Sequence, residues 1–116
     1  IIRYTESTIQ SRSDGRTVRN LLNKRLDMDF SDVQFLHVTH PSRFKEKLHS
    51  HERSYEIFYF LDQAKYRING KDYEIDEKDM IILEPGDIHG AIPISNEVRI
   101  FVVQIPAIID DKKVYE

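Results

Sequence analysis

The sequence predicts an all-β fold, a barrel or a two-sheet sandwich, and three observations carry that reading. From residue 33 onward, apolar runs of strand length follow one another. Turn-forming residues separate them, at Pro41-Ser42, Pro85-Gly86 and Pro106. Between two alternating runs stands Asn69-Gly70, a pair suited to a tight hairpin because both turn positions need a positive φ. Six or more such strands in 116 residues fit one domain with one core.

Residues 1–15 are polar, with little apolar period, and read as an arm or loop. In soluble β-barrels such arms often cross to a partner subunit. In residues 16–26, Val18, Leu21, Leu22 and Leu26 fall at helical spacing, so periodicity alone predicts a helix. The basic side chains of this stretch read as a surface face. Residues 33–39 are rich in β-branched and aromatic types and read as a strand ended by Pro41. Residues 56–61 are the strongest strand, since three aromatics and two aliphatics leave little room for a solvated face. Strands over 66–68 and 71–75 flank the hairpin turn. Residues 80–83 form another buried strand, and 99–105 a final long one. The charged stretch 110–116 reads as a frayed, solvated tail.

Composition sets bounds on function. The net charge of −3 and pI near 6.0 give no basic surface for nucleic acid. There are no cysteines, which excludes disulfides, thiolate ligands and a cysteine nucleophile. Any metal is therefore held by nitrogen and oxygen. No apolar run approaches a bilayer span, so no membrane role is expected. A cytoplasmic location is the default expectation.

Two of the five histidines form His49-Ser50-His51. On a strand, residues two apart point to the same face, so both imidazoles can reach one interior point. Glu56 shares its parity with Phe58 and Phe60. A lone carboxylate on a phenylalanine face is costly to bury, and a coordinated cation removes that cost. His89, beyond Pro85-Gly86, can return to the same point. His37 could face the pocket from a neighbouring strand, while His40 beside Pro41 reads as a surface loop histidine. Tyr55 and Tyr59 lie in the loop or at opposite parity to Glu56.

The run from His49 through His51 to Glu56 resembles the first cupin motif, H-x-H-x(3,4)-E. The run Glu84-Pro85-Gly86-Asp87-Ile88-His89 resembles the second, P-x-G-x-x-H. The Asn69-Gly70 hairpin lies where the family's inter-motif turn does. The resemblance runs from about residue 33 to 106. It implies a cupin double-stranded β-helix, a jelly-roll barrel. Residues 1–32 would then be an N-terminal arm and first strand, 33–106 the barrel core and 107–116 a C-terminal tail. The resemblance also implies an early strand in residues 16–26, and that reading is preferred to the helical periodicity. It makes His49, His51, Glu56 and His89 the ligands of one divalent transition metal: iron, manganese, zinc, nickel, copper or cobalt. The chain departs from the family pattern where Arg43, Gln63 and Lys78 replace turn glycines and Glu84 replaces the motif's proline.

Phe58, Phe101 and His37 are the candidate substrate-binding residues. Phe58 sits nearest the ligands. In similar small cupins an aromatic at the position of Phe101 overhangs the metal, and Val103 is read as facing inward beside it. The resemblance implies a small-molecule ligand and a homodimer. It leaves several functions open. One is a metal-dependent, dioxygenase-like enzyme acting on a small oxygen-bearing molecule. Another is a sugar or small-acid binding module, since residues 55–90 also resemble the sensor barrel of arabinose-regulator-type transcription factors. A sugar isomerase or epimerase is the third, and it needs a general base, for which His37 is the one candidate.

Overall fold

The computed structural model describes residues 1–11, 13, 17–22, 32–108 and 110–115. Two antiparallel sheets enclose the core. The first has the order β3 (Gln34–His40), β10 (Val98–Ile105), β5 (Tyr55–Phe60) and β8 (Met80–Leu83). The second runs β11 (Lys112–Val114), β4 (His49–His51), β9 (His89–Ala91), β6 (Ala64–Ile68) and β7 (Lys71–Ile75). From β3 onward, every connection except the β6–β7 hairpin passes from one sheet to the other. That alternation is the winding of a double-stranded β-helix, as the motifs implied.

Period-two alternation decides what faces inward. β5 buries Glu56, Phe58 and Phe60, and β10 buries Val98, Ile100, Val102 and Gln104. These meet Tyr66, Ile75, Ile81 and Leu83 in one core. Register fixes the match: Val102 lies opposite Phe58, and Ile100 opposite Phe60. Among the described residues, no helix is long and apolar enough to cross a membrane.

Two readings of the ends of the chain need correction, and one between alternatives is decided. The first fifteen residues are not simply an arm. A 3-10 turn at Tyr4–Glu6 leads into β1 (Thr8–Ser11), which pairs with β2 (Thr17–Asn20) as a separate hairpin. In residues 16–26 the favoured strand, and not the helix that periodicity alone gives, stands at Thr17–Asn20, while residues 16 and 23–26 lie outside the described residues. The strand's partner is β1 rather than a barrel strand. Before this hairpin, Ile2 bridges to Met80, and Arg3 reaches the buried Asp79 carboxylate at 2.5 Å. Nor is the C-terminal stretch a solvated tail, because β11 pairs with β4 along its three residues.

The turns follow backbone chemistry. Asn69 and Gly70 both adopt positive φ, 49° and 80°, as a type I′ turn requires. Arg43 and Lys78, standing where the family pattern has glycine, keep the left-handed backbone at φ 62° and 73°. The turn geometry is retained without the residue that adopts it most cheaply.

Candidate metal centre and adjoining cavity

Four side chains converge between the sheets. β4 and β9 pair at His49 and His89, which places these two imidazoles side by side with ring centres 4.3 Å apart. His51 follows two residues along β4, on the same face. Glu56 comes from β5 in the opposite sheet. One donor atom from each of these four lies within 4.8 Å of all the others. Two ligands at opposite ends of one ion stand about 4.2 Å apart, so the cluster needs to draw in only slightly to share a cation.

The donor chemistry fits such a cation. His49 Nδ1 lies 3.0 Å from the Lys47 carbonyl, and His89 Nδ1 lies 3.0 Å from the Asp87 carbonyl. A carbonyl only accepts, so each Nδ1 carries the proton and each Nε2 keeps a lone pair for coordination. Glu56 Oε1 sits 3.0 Å from His51 Nε2 and 3.3 Å from His89 Nε2. Yet Glu56 Oε1 and His89 Nε2 are buried with no partner in hydrogen-bonding geometry. Buried polar atoms are rarely left so. Their close approach without mutual bonding is what atoms aimed at a common third centre show.

Electrostatics agree. Without a cation, burial raises the Glu56 carboxyl, but His51 and His89, when protonated at Nε2, donate to it and outweigh burial, holding the pKa at about 2. Glu56 is thus an anion at any ordinary pH. Its carboxylate raises the pKa of His51 against the opposing effect of burial, with Asp111 adding in the same sense. Burial lowers the pKa of His49.

Sequence reasoning missed Asp111, which is buried at 4% exposure. Its carboxylate accepts backbone N–H bonds from Glu52, Arg53 and Ser54 at 2.9–3.0 Å. These three residues form the turn that carries the chain from His51 to Glu56. Asp111 Oδ2 also lies 3.9 Å from His51 Nδ1, a buried atom with no hydrogen bond. The only signal in the sequence was a carboxylate in an otherwise charged tail, which reads as solvent-facing.

A cavity of about 110 Å³ adjoins the cluster. His49 and Glu56 line one end, and Leu36, Val38, Phe58, Ile100 and Val102 give it apolar walls. Phe58 lines it, with its ring 6.1 Å from that of His89. His37 and Phe101 do not. They lie opposite each other across β3 and β10 on the outer face, where Phe101 is 40% exposed and stacks on Phe35. The reason is parity: Val102 and Ile100 are the inward residues of β10, and Leu36 and Val38 those of β3. Val103 is turned outward with Phe101 for the same reason. His40 needs the opposite correction. It is buried at the end of β3, with its ring 4.5 Å from that of Phe44, and it lines the cavity together with Glu46 and Tyr66.

Comparison with known proteins supports the fold. The family model described as AraC-like ligand binding domain matches residues 32–111. No curated protein matches the chain in sequence. Solved structures share the fold. A double-stranded β-helix protein of Klebsiella pneumoniae superposes with a TM-score of 0.63 at 21% identity, covering 78% of this chain and 80% of its own. A cupin protein of Bacteroides fragilis gives 0.60 at 18% identity, covering 74% of each chain. A predicted oxalate decarboxylase of Thermotoga maritima gives 0.57 at 25% identity, covering 92% of this chain and 99% of its own.

Proposed function

The chain belongs to the family of AraC-like ligand binding domains, a small cupin-type barrel, and on that premise we propose that it holds one divalent transition metal and binds a small oxygen-bearing molecule beside it. His49, His51, Glu56 and His89 are the metal's ligands in this reading. The observation that carries it is the convergence of four donors with Glu56 Oε1 and His89 Nε2 buried and unbonded. Three imidazoles and a carboxylate suit iron, manganese, zinc, nickel, copper or cobalt. Such an ion supplies Lewis-acid polarisation of a bound oxygen, or dioxygen chemistry if it is iron. The apolar walls of the cavity exclude water from one side of the ligand, and Phe58 fixes where that side lies.

Within that reading, a dioxygenase-like reaction asks least of the protein's own groups. The sugar-isomerase alternative no longer rests on His37, which is on the outer face; its base would instead be His40 or Glu46, which line the cavity. The alternative favoured by the family match is a ligand-binding module without catalysis.

Elemental analysis of protein purified without chelator is the test. About one equivalent of transition metal per chain is expected. His51→Ala should lower that occupancy several-fold, while His40→Ala should leave it near the wild-type level. Equal occupancy in the two variants would remove the ligand assignment. Absence of metal, with none taken up on titration, would turn the reading to metal-free ligand binding.

A further inference from the structure

The outer face of the first sheet takes no part in the site. Strand register lays its outward side chains in rows across β3, β10, β5 and β8. His37, Phe101, Tyr59 and Met80 form one row. Phe35, Val103, Ile57 and Ile82 form the next. Neither row holds an Asp, Glu, Lys or Arg. Phe35 is 62% exposed and Phe101 40%, and their rings stack with centres 6.0 Å apart. In the row beyond His37, Arg99 is tied to Asp62 at 2.9 Å.

The outer face of the second sheet is different. There Lys65 stands opposite Glu74, and Arg67 opposite Asp72. An antiparallel sheet with one face in water alternates apolar-in and polar-out in that way. β5 and β10 break that alternation around these rows. They turn Phe58 and Val102 inward and still carry Ile57, Phe101 and Val103 outward. Strands apolar on both faces are characteristic of sheets covered on both faces.

We propose that this face is the interface of a homodimer, in which two copies stack their first sheets face to face about a two-fold axis. Three features select a second copy of this chain. The first is polarity: interfaces with transient partners are about as apolar as the rest of a surface, whereas homodimer interfaces are more apolar and depleted in charge. The second is the border. A bilayer-binding face sets Lys and Arg around its apolar residues, and here the bordering Arg99 is engaged by Asp62. The third is size. β3, β10 and β5 run about 20–26 Å, and four strands about 4.8 Å apart make a face about 20 Å wide. Each copy thus offers about 400–500 Å² in plan, and side-chain relief brings the pair to the roughly 1,000 Å² that a specific interface clears. Two sheets of like twist stack in this way with their strands about 30° apart.

Sedimentation equilibrium at about 50 μM tests the proposal, above the micromolar Kd of a weak interface. Wild-type protein should sediment at twice the chain's 13.8 kDa. Phe101→Glu puts a charge into each face and should halve that mass. Arg67→Glu, on the outer face of the second sheet, should leave it doubled. Cooperative urea unfolding checks that each variant folds, and Phe35→Glu carries the test if Phe101→Glu does not. Wild-type protein at the mass of one chain would overturn the proposal. So would a doubled mass in folded Phe101→Glu, or a halved mass in Arg67→Glu alone. The measurement needs no metal, so its failure leaves the four-donor reading untouched.

Discussion

At the scale of single residues, the backbone at Arg43 and Lys78 separates what a turn needs from what the sequence supplies. Both residues sit at positive φ, which costs a side chain with a Cβ about 1–2 kcal/mol. Glycine would remove that strain and return part of the gain through a freer unfolded chain. Arg43 is exposed, and its N–H bond to the Ile94 carbonyl survives the change. Arg43→Gly should therefore stabilise the protein by about 0.5–1 kcal/mol, read as a higher urea midpoint at constant slope. Lys78→Gly should gain less. Its ammonium lies 4.9 Å from the Tyr4 ring centre, a cation–π contact that glycine abolishes. A larger gain at Lys78 than at Arg43 would contradict this account. The converging residues were legible at this scale because their spacing alone constrains them. His49 and His51 share a strand face, and Glu56 stood among phenylalanines. The burial of His40 was not legible, because its place between the sheets shows only when the two face each other.

At the scale of elements, strand existence was legible and strand facing was less so. Residues 80–83 form a strand as read, and the hairpin turn falls on Asn69-Gly70. On β10 the resemblance pointed Phe101 inward, yet Phe101 shares its face with Arg99, which pairs with Asp62 at the surface. The charge was the better guide to parity. β11 was missed for a physical reason too. Lysines at the edge of a sheet protect it from pairing with other chains, and they make an edge strand look like a solvated tail. That strand matters because Asp111 leads into it. Asp111→Ala removes the acceptor of three backbone N–H groups in the turn between His51 and Glu56. It should cost about 2–3 kcal/mol of stability in urea unfolding. Metal affinity should fall about tenfold or more in a competition titration against a coloured chelator, since supports of this kind typically matter that much. Unchanged metal affinity in a folded variant would show that the turn holds its place without the aspartate.

At the scale of the whole molecule, the candidate metal is a tie between the sheets, since three of its ligands come from one sheet and Glu56 from the other. Binding should stabilise the fold as a unit, by about 2.7 kcal/mol at a hundredfold excess over Kd. For a chain of this size that is a rise in Tm of roughly 10 °C. The pH dependence should run in opposite directions with and without metal. In metal-free protein the Glu56 carboxyl, at about 2, is depressed below its ordinary 4.5, so its contribution is present above 4.5 and lost as pH falls toward 2. His51 is raised above 6.5, so its contribution is present below 6.5 and lost as pH rises through the raised value. The empty site therefore supports the fold best between about 4.5 and 6.5. Metal needs His51 neutral, and protons compete for it more strongly as pH falls below that raised pKa. The increment in Tm on adding zinc should be several-fold larger at pH 8 than at pH 5.5, measured by scanning calorimetry against chelator-treated protein. Equal increments at the two pH values would mean that His51 is not displaced from a proton when the metal binds, and that the tie is made without it.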